Sequence, residues 1–408
     1  MTDPIKSGFT SIVSKSKLSP QESLLRIKKG KKELLIGIPK ESLKGENRIA
    51  LTPEAVSVLT LNGHQIIVES GAGKAANFSD NSYSEAGAQI DYSNDKVYHS
   101  DIVLKVRFPN LEEISKLKVG NAVISTIHAG NDIKESLREI NKKKIIAIGY
   151  EYIEDKVGGL PIVRAMSEVA GSVIIPIAAE YLSNTQNGQG VILGGITGVP
   201  RTNVTILGAG TVAEFTARAA IGLGADVKIF DNHIYKLRRL KQILPNQVYT
   251  STIEQTTLKE TLKSCDVLIG ALRSEKGQNR HIVSEETVAS MKDGAVIIDV
   301  SIDEGGCIET SVATSLHSPV FTKHGVIHYC VPNIASKVAG TASKALSNIF
   351  SLILMQIADS GGLDDMIFQN KWFMKGVYAY KGSLTNYYLS KRFDLPFKDL
   401  NLLIAARY

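Results

Sequence analysis

Four side chains lie where the ends of apolar, strand-like runs would put them. Arg48 sits in KGENRIALTP, Lys105 near the end of DIVLKV, His128 at the end of AVISTIH, and Asp303 at the end of AVIIDVSID beside Gly305 and Gly306. Ligands of open parallel sheets bind outside the carboxyl ends of the strands, and that rule selects these four. They are a guanidinium suited to a bidentate grip on a carboxylate, a second cation, an imidazole and an acid. The set suits a small 2-oxo or 2-amino acid beside a nicotinamide. Each has a plainer reading when taken singly. A strand-end lysine is usually a solvated charge, a lone histidine a hydrogen-bonded structural residue, and a strand-end aspartate a cap on the next turn. Glu168, at an otherwise apolar helix start, reads equally well as a charge near a cap.

A fifth feature points to the cofactor. Residues 203–231 read NVTILGAGTVAEFTARAAIGLGADVKIFD, a strand, a turn on Gly208 and Gly210, an amphipathic helix and a second strand ending on Asp231. This is G-x-G-x-x-A followed by an acid about twenty residues on. Gly208 permits the tight turn, Gly210 lets backbone approach a pyrophosphate, and Ala213 lets helix and strand pack closely. The helix N-terminus offers N–H groups and partial positive charge to the phosphates. Asp231 accepts hydrogen bonds from the ribose 2′-OH of NAD and repels the 2′-phosphate of NADP. A lone glycine pattern is often only a tight turn; the strand–turn–helix–strand–acid context makes this one a dinucleotide site.

The elements that must position these residues alternate along the chain. Strand patterns occur at 34–40, 64–70, 101–106, 122–128 and 144–150, with helical stretches between them. TPEAVSVLTLNG (52–63) reads as a helix with Thr52 as N-cap, Pro53 first and Gly63 as the stop. MSEVAGSVIIPIAAEYL (166–182) reads as a long buried helix leading into the glycine unit. Beyond it come strands at 266–272, 295–303 and 326–333, a capped helix at 284–294, and a helix at 343–362. Such alternation argues for α/β architecture with mostly parallel sheets. The expected organisation is an N-terminal extension over 1–32, a Rossmann dinucleotide-binding domain over 164–334, and a discontinuous flavodoxin-like substrate domain from 33–163 and 335–408. C-terminal helices would cross back to that substrate domain, with a cleft between the two.

Bulk composition narrows the function class. The 408 residues are 43% hydrophobic and 22% charged, ordinary for a globular enzyme, and suffice for two or three domains. Net charge is +6 and spread out, and the KKGKK cluster at 28–32 reads as a solvated face. No interleaving of basic and aromatic residues points to nucleic acid. Cys265, Cys307 and Cys330 have no metal-ligand spacing, and their odd, sparse count fits a reducing compartment. No apolar run is expected to reach the roughly 18 residues of a membrane span. The basic, serine-containing start reads more simply as a surface extension than as a transit peptide, which makes the cytoplasm the expected location.

Several ordered motifs carry a family resemblance. IPKESLKGENRIALTPEAV, ESGAGKAANFSD, MSEVAG, the glycine unit, VSIDEGG and HYCVPN resemble the alanine dehydrogenase family, related to the NAD-binding subunit of proton-translocating transhydrogenase. The match runs from about Leu35 to the chain end, weakening over the last 70 residues, where KGSLTN (381–386) still fits. The resemblance implies reversible oxidative deamination of L-alanine to pyruvate and ammonium with NAD, in a typically hexameric homo-oligomer. It implies that Arg48 and Lys105 hold the substrate and that His128 and Asp303 are the catalytic pair. For the cofactor it carries over Ser167, Asp231, Lys236, the turn of Val300, Ser301, Ile302 and Asp303, and the loop of Val331, Pro332, Asn333 and Ile334. Two departures stand out: Val312 and Gly340 occupy positions where relatives commonly carry arginine. The alternatives are a transhydrogenase-type subunit docking on a membrane partner, a saccharopine dehydrogenase relative, and an NAD-binding protein that has lost catalysis.

Overall fold

The computed structural model describes residues 30–127, 133–244, 248–272 and 281–405. Two sheets organise them. The first runs β15-β14-β6-β5-β4-β1-β2-β3, built from β1 (Leu35–Ile38), β2 (Gln65–Glu69), β3 (Gln89–Asp91), β4 (Ile102–Leu104), β5 (Ala122–Ser125), β6 (Ile146–Gly149), and the late strands β14 (Val377–Tyr380) and β15 (Ser383–Leu384). The second runs β12-β13-β11-β10-β7-β8-β9, from β7 (Asn203–Leu207), β8 (Asp226–Phe230), β9 (Tyr249–Ser251), β10 (Val267–Gly270), β11 (Val296–Asp299), β12 (Val320–Lys323) and β13 (Val326–Tyr329).

The strands β4, β5, β6, β10, β11 and β13 are buried along their whole length. Helices covering both sides of a parallel sheet demand such uninterrupted apolar runs. In both sheets the order reverses once, between β1 and β4 and between β7 and β10. Residues leaving those strands therefore border a crevice at the switch point. The first sheet corrects one expectation. Its parallel strands run β3-β2-β1-β4-β5-β6, the same winding as the second sheet, whereas a flavodoxin-like order would place β3 beside β1.

The C-terminal segment returns to the first sheet: the helix Ala339–Asp359 packs into its core, and two strands join its edge where only helices were expected. β14 pairs antiparallel with β6, and β15 turns back on β14 through Lys381 and Gly382, both at positive φ. VYAY is a short β-branched and aromatic run, which favours a pleated, buried position. A second difference lies at Thr52. It precedes the helix Pro53–Leu61 but makes no side-chain cap; its hydroxyl lies 3.3 Å from Ser347 Oγ.

Two 21-residue helices, Pro161–Tyr181 and Ala339–Asp359, join the sheets and pack on one another. Gly171 permits a close crossing with the helix Thr211–Gly222, since a Cβ there would stand 2.6 Å from Val212 O. Contrary to the sequence expectation, both linking segments are long and apolar enough by composition to cross a membrane. Ile174, Ile175, Ile177 and Ala178 on the first, and Leu346, Phe350, Leu354 and Ile357 on the second, bury that apolar surface in the core clusters of the protein. Ser172, Pro176 and Glu180 leave one side of the first helix exposed, so it is half-buried where the sequence suggested full burial.

Candidate active site

The loop after β1 is held rigidly because three serines satisfy its backbone. Ser336 Oγ accepts from Asn47 N at 2.8 Å, Ser343 Oγ from Ile49 N at 2.9 Å, and Ser347 Oγ from Thr52 N at 3.0 Å. Buried N–H groups without partners cost roughly 1–3 kcal/mol each, so this ladder fixes where Arg48 points. The Arg48 guanidinium forms a fork with Glu46, Nε to Oε1 at 2.8 Å and Nη2 to Oε2 at 2.7 Å. Among the described residues its Nη1 hydrogen-bonds the Met166 thioether alone, at 3.4 Å, a weak acceptor. That nitrogen is the part of the fork best able to take a carboxylate oxygen. Burial disfavours both charges. The Arg48 charge nevertheless holds Glu46 below the usual carboxylate range, and Glu46 holds the guanidinium above its own.

Lys105, at the end of β4, is paired with two carboxylates. It is 1% exposed, with Nζ 2.5 Å from Glu113 Oε1 and 3.7 Å from Glu41 Oε2. Glu113 is fixed in turn as the third residue of a capping box with Asn110, and accepts from Tyr98 OH at 3.2 Å. Glu41 accepts from Val106 N at 2.7 Å and Arg107 N at 3.2 Å. The ammonium therefore neutralises a buried carboxylate cluster that shapes the backbone after β4. Arg107, two residues on, is half-buried, and its charge helps to hold Glu46 ionised. KVR offers two cations two residues apart, of which the sequence selects the first, Lys105, as a substrate ligand.

On the other side, β11 stops at Asp299, and residues Val300–Glu304 form a 3-10 turn rather than further strand. The cause is Asp299, 1% exposed, which accepts from Ser301 N at 3.1 Å, Ser301 Oγ at 2.5 Å and Cys307 N at 3.1 Å. This turn leaves Asp303 exposed, with Oδ2 3.2 Å from the Asn333 N–H. Asn333 is left-handed at φ 58° and ψ 50°, a conformation asparagine tolerates better than other non-glycine residues. Its side-chain Nδ2 donates to Glu46 Oε2 at 2.6 Å. A continuous polar chain thus runs Arg48–Glu46–Asn333–Asp303, from the end of β1 to the end of β11.

His128 lies outside the described residues. The strand end before it is fixed: Ile127 N and Thr126 Oγ1 both donate to Glu151 Oε1, at 2.7 and 2.9 Å.

The glycine turn meets the demands of a dinucleotide. Gly208 adopts φ 107°, and a Cβ there would stand 2.5 Å from Ala271 O. At Gly210 a Cβ would meet nothing within 4 Å, so open space lies above that residue. No side chain caps the helix Thr211–Gly222, and Ala213 is fully buried beneath it. Those leading N–H groups remain available to an anion. Asp231 is 2% exposed and already engaged: Oδ2 accepts from Ala209 N at 2.7 Å, and Oδ1 from His233 N at 2.8 Å and His233 Nδ1 at 2.9 Å. Arg239, not anticipated from sequence, braces the same turn through Ala209 O at 3.3 Å and Glu214 at 3.0 Å.

Of the remaining positions, Ser167 is half-buried on the helix Pro161–Tyr181, and Lys236 is half-buried on the helix Ile234–Ile243. Val300, Ser301 and Ile302 are half-buried in the 3-10 turn, as is Pro332 beside buried Val331 and Ile334. Glu168 pairs with Arg164 at 3.1 Å along the helix, so its charge is neither a cap nor part of the polar chain. Val312 is 64% exposed, and a Cβ on Gly340 would meet Ala76 O at an ordinary 3.7 Å.

Comparison with known proteins matches residues 37–170 to the alanine dehydrogenase/PNT N-terminal domain and residues 174–387 to the alanine dehydrogenase/PNT C-terminal domain. The chain belongs to the alanine dehydrogenase/PNT family. Among relatives of this family, an alanine dehydrogenase of Staphylococcus saprophyticus is 36% identical, covering 90% of this chain and 99% of its own length. Alanine dehydrogenase 2 of Staphylococcus aureus is 35% identical, covering 90% and 98%. A solved L-alanine dehydrogenase superposes with a TM-score of 0.83 at 31% identity, covering 88% of this chain and 99% of that one. A transhydrogenase from Sinorhizobium meliloti gives 0.74 at 22% identity, covering 86% and 99%, a likeness of fold alone.

Proposed function

We propose that this chain catalyses the reversible oxidative deamination of L-alanine to pyruvate and ammonium, with NAD as the oxidant. The observation that carries the reading is the Arg48–Glu46–Asn333–Asp303 chain. It links the buried Arg48 guanidinium to the exposed Asp303 carboxylate through two hydrogen-bonded residues, which supports reading the two as parts of one site. The second sheet, with its glycine turn and uncapped helix, is read as a Rossmann dinucleotide-binding domain, supported by its winding and by the space above Gly210. The overall identity to alanine dehydrogenases over nine-tenths of the chain supports the same substrate.

The residues divide the work as follows. Arg48 Nη1 takes the substrate carboxylate while Glu46 fixes the guanidinium plane. Lys105, at the end of β4, supplies the second positive charge, beside the carbonyl oxygen of pyruvate or the forming carbinol, and Arg107 adds to the positive field around Glu46. Bound NAD supplies the acceptor for the hydride on the substrate Cα. Asp303 stabilises the positive charge on the substrate nitrogen, with the Asn333 N–H orienting its carboxylate. His128, carried over from the family resemblance, is the base that takes a proton from the water adding to the imine carbon, and the acid that returns it in the reverse direction. One alanine, one water and one NAD give one pyruvate, one ammonium, one NADH and one proton.

The family resemblance also supports a homo-oligomer, hexameric by that likeness. Val191, Ile192, Ile196 and Val199 form an exposed apolar stretch beside Leu223, more than scattered surface residues would provide.

The deciding experiment is NADH formation at alkaline pH with a panel of L-alanine, glycine, L-serine and L-lysine, each with NAD and NADP. Robust turnover with L-alanine and NAD is expected. Absence of any alanine-dependent signal, in protein that binds NADH, rejects the reading.

A further inference from the structure

Asp231 is the residue expected to receive the ribose, yet its carboxylate is already occupied on three sides. A carboxylate offers about four acceptor sites. Ala209 N takes one on Oδ2 at 2.7 Å, while His233 N and His233 Nδ1 take two on Oδ1 at 2.8 and 2.9 Å. A ribose diol brings two hydroxyl donors, and one acceptor site is open. Two of the present donors are backbone groups of the glycine turn and of the chain after β8, which cannot leave without refolding those segments. The third is a ring. The His233 side chain is 39% exposed against 3% for Asp231, and it rests edge-on against Tyr235, with centroids 5.7 Å apart and planes at 78°. As a side chain, it is the donor that can be exchanged without moving backbone.

We propose that the His233 ring competes with the nucleotide ribose for Asp231 and so sets the margin by which NAD is preferred over NADP. The inference rests on the dinucleotide reading of this site. In the free protein the Nδ1–H holds Oδ1, and binding NAD requires that hydrogen bond to be exchanged for one from the ribose. The exchange lowers NAD affinity. A 2′-phosphate makes no such hydrogen bond to Asp231, so losing the ring does nothing to help NADP.

The test is fluorescence titration of NADH and NADPH into the intact protein and into His233→Ala and His233→Asn. His233→Ala should tighten NADH binding about three- to tenfold, the worth of one hydrogen bond no longer displaced, without tightening NADPH. His233→Asn, which keeps a donor amide at the same position, should stay within about twofold of the unaltered protein. Unchanged NADH affinity in His233→Ala overturns the proposal, and weakened affinity does so equally by making the ring a support. An asparagine variant that behaves like alanine overturns it too, because the effect would then come from ring volume. Failure of the unaltered protein to bind NADH would bring down the dinucleotide reading itself; binding with indifferent variants removes only the role of His233.

Discussion

Glu46 and Asn333 stand 287 residues apart in the chain and meet at 2.6 Å. Through this contact the loop that aims Arg48 and the loop that orients Asp303 share one hydrogen bond. Asn333→Gly keeps the left-handed backbone and deletes the side-chain donor; Asn333→Ala deletes the donor and adds strain of about 1–2 kcal/mol. Both variants should lose tenfold or more in kcat/KM for alanine. Urea unfolding should show only the alanine variant markedly less stable. Wild-type kcat/KM in the glycine variant would show that this contact is dispensable for catalysis.

Lys105 and Arg107 should separate by which property they damage. Lys105→Met leaves Glu113 and Glu41 buried without their cation, so stability should drop by about 3–5 kcal/mol. Arg107→Ala should barely move the unfolding midpoint but raise KM for alanine and pyruvate about tenfold or more. Lys105→Met should raise KM for alanine as well; paired denaturation and kinetic measurements decide it, and a wild-type KM in folded Lys105→Met would remove it as a substrate ligand.

Glu41 gives stability a defined pH signature. Burial pushes its carboxyl up from 4.5 to about 6, against the pull of Lys105. The folded protein thus binds this proton more tightly than the unfolded chain does. Its stabilising contribution is complete below about 4.5, declines as pH rises to about 6, and totals about 2 kcal/mol. Glu41→Gln removes that titration. The difference in unfolding free energy between the two proteins should drift across this window and be flat above it, and parallel curves would count against the buried ionisation.

The proposed catalytic pair makes a direct prediction. His128→Ala and Asp303→Asn should each reduce turnover about a hundredfold or more while NADH binding, followed by fluorescence, persists. Wild-type turnover in either variant removes that residue from the mechanism.

Asp231→Ala should act on both sides of the cofactor choice. It removes the ribose acceptor and releases Ala209 N, so NADH should bind about tenfold or more weakly. Removing the negative charge should also ease the 2′-phosphate, narrowing the ratio of kcat/KM for NAD over NADP. An unchanged ratio would show that discrimination lies elsewhere.

The sequence by itself determined the glycine turn, the apolar strands and the family motifs, because each depends on neighbours within about thirty residues. A steric demand such as Gly208, or an uninterrupted buried run such as β11, is written locally. The return of β14 to β6 was not legible, since antiparallel pairing across more than two hundred residues leaves no periodic mark. The same limit applied to charge. Lys105 and Arg107 look alike as text, and Asp299 and Asp303 both follow apolar residues. Tertiary structure alone decided that Lys105 and Asp299 are sealed among partners while Arg107 is half-buried and Asp303 exposed, because burial and hydrogen bonding are properties of the neighbours that folding brings from elsewhere in the chain.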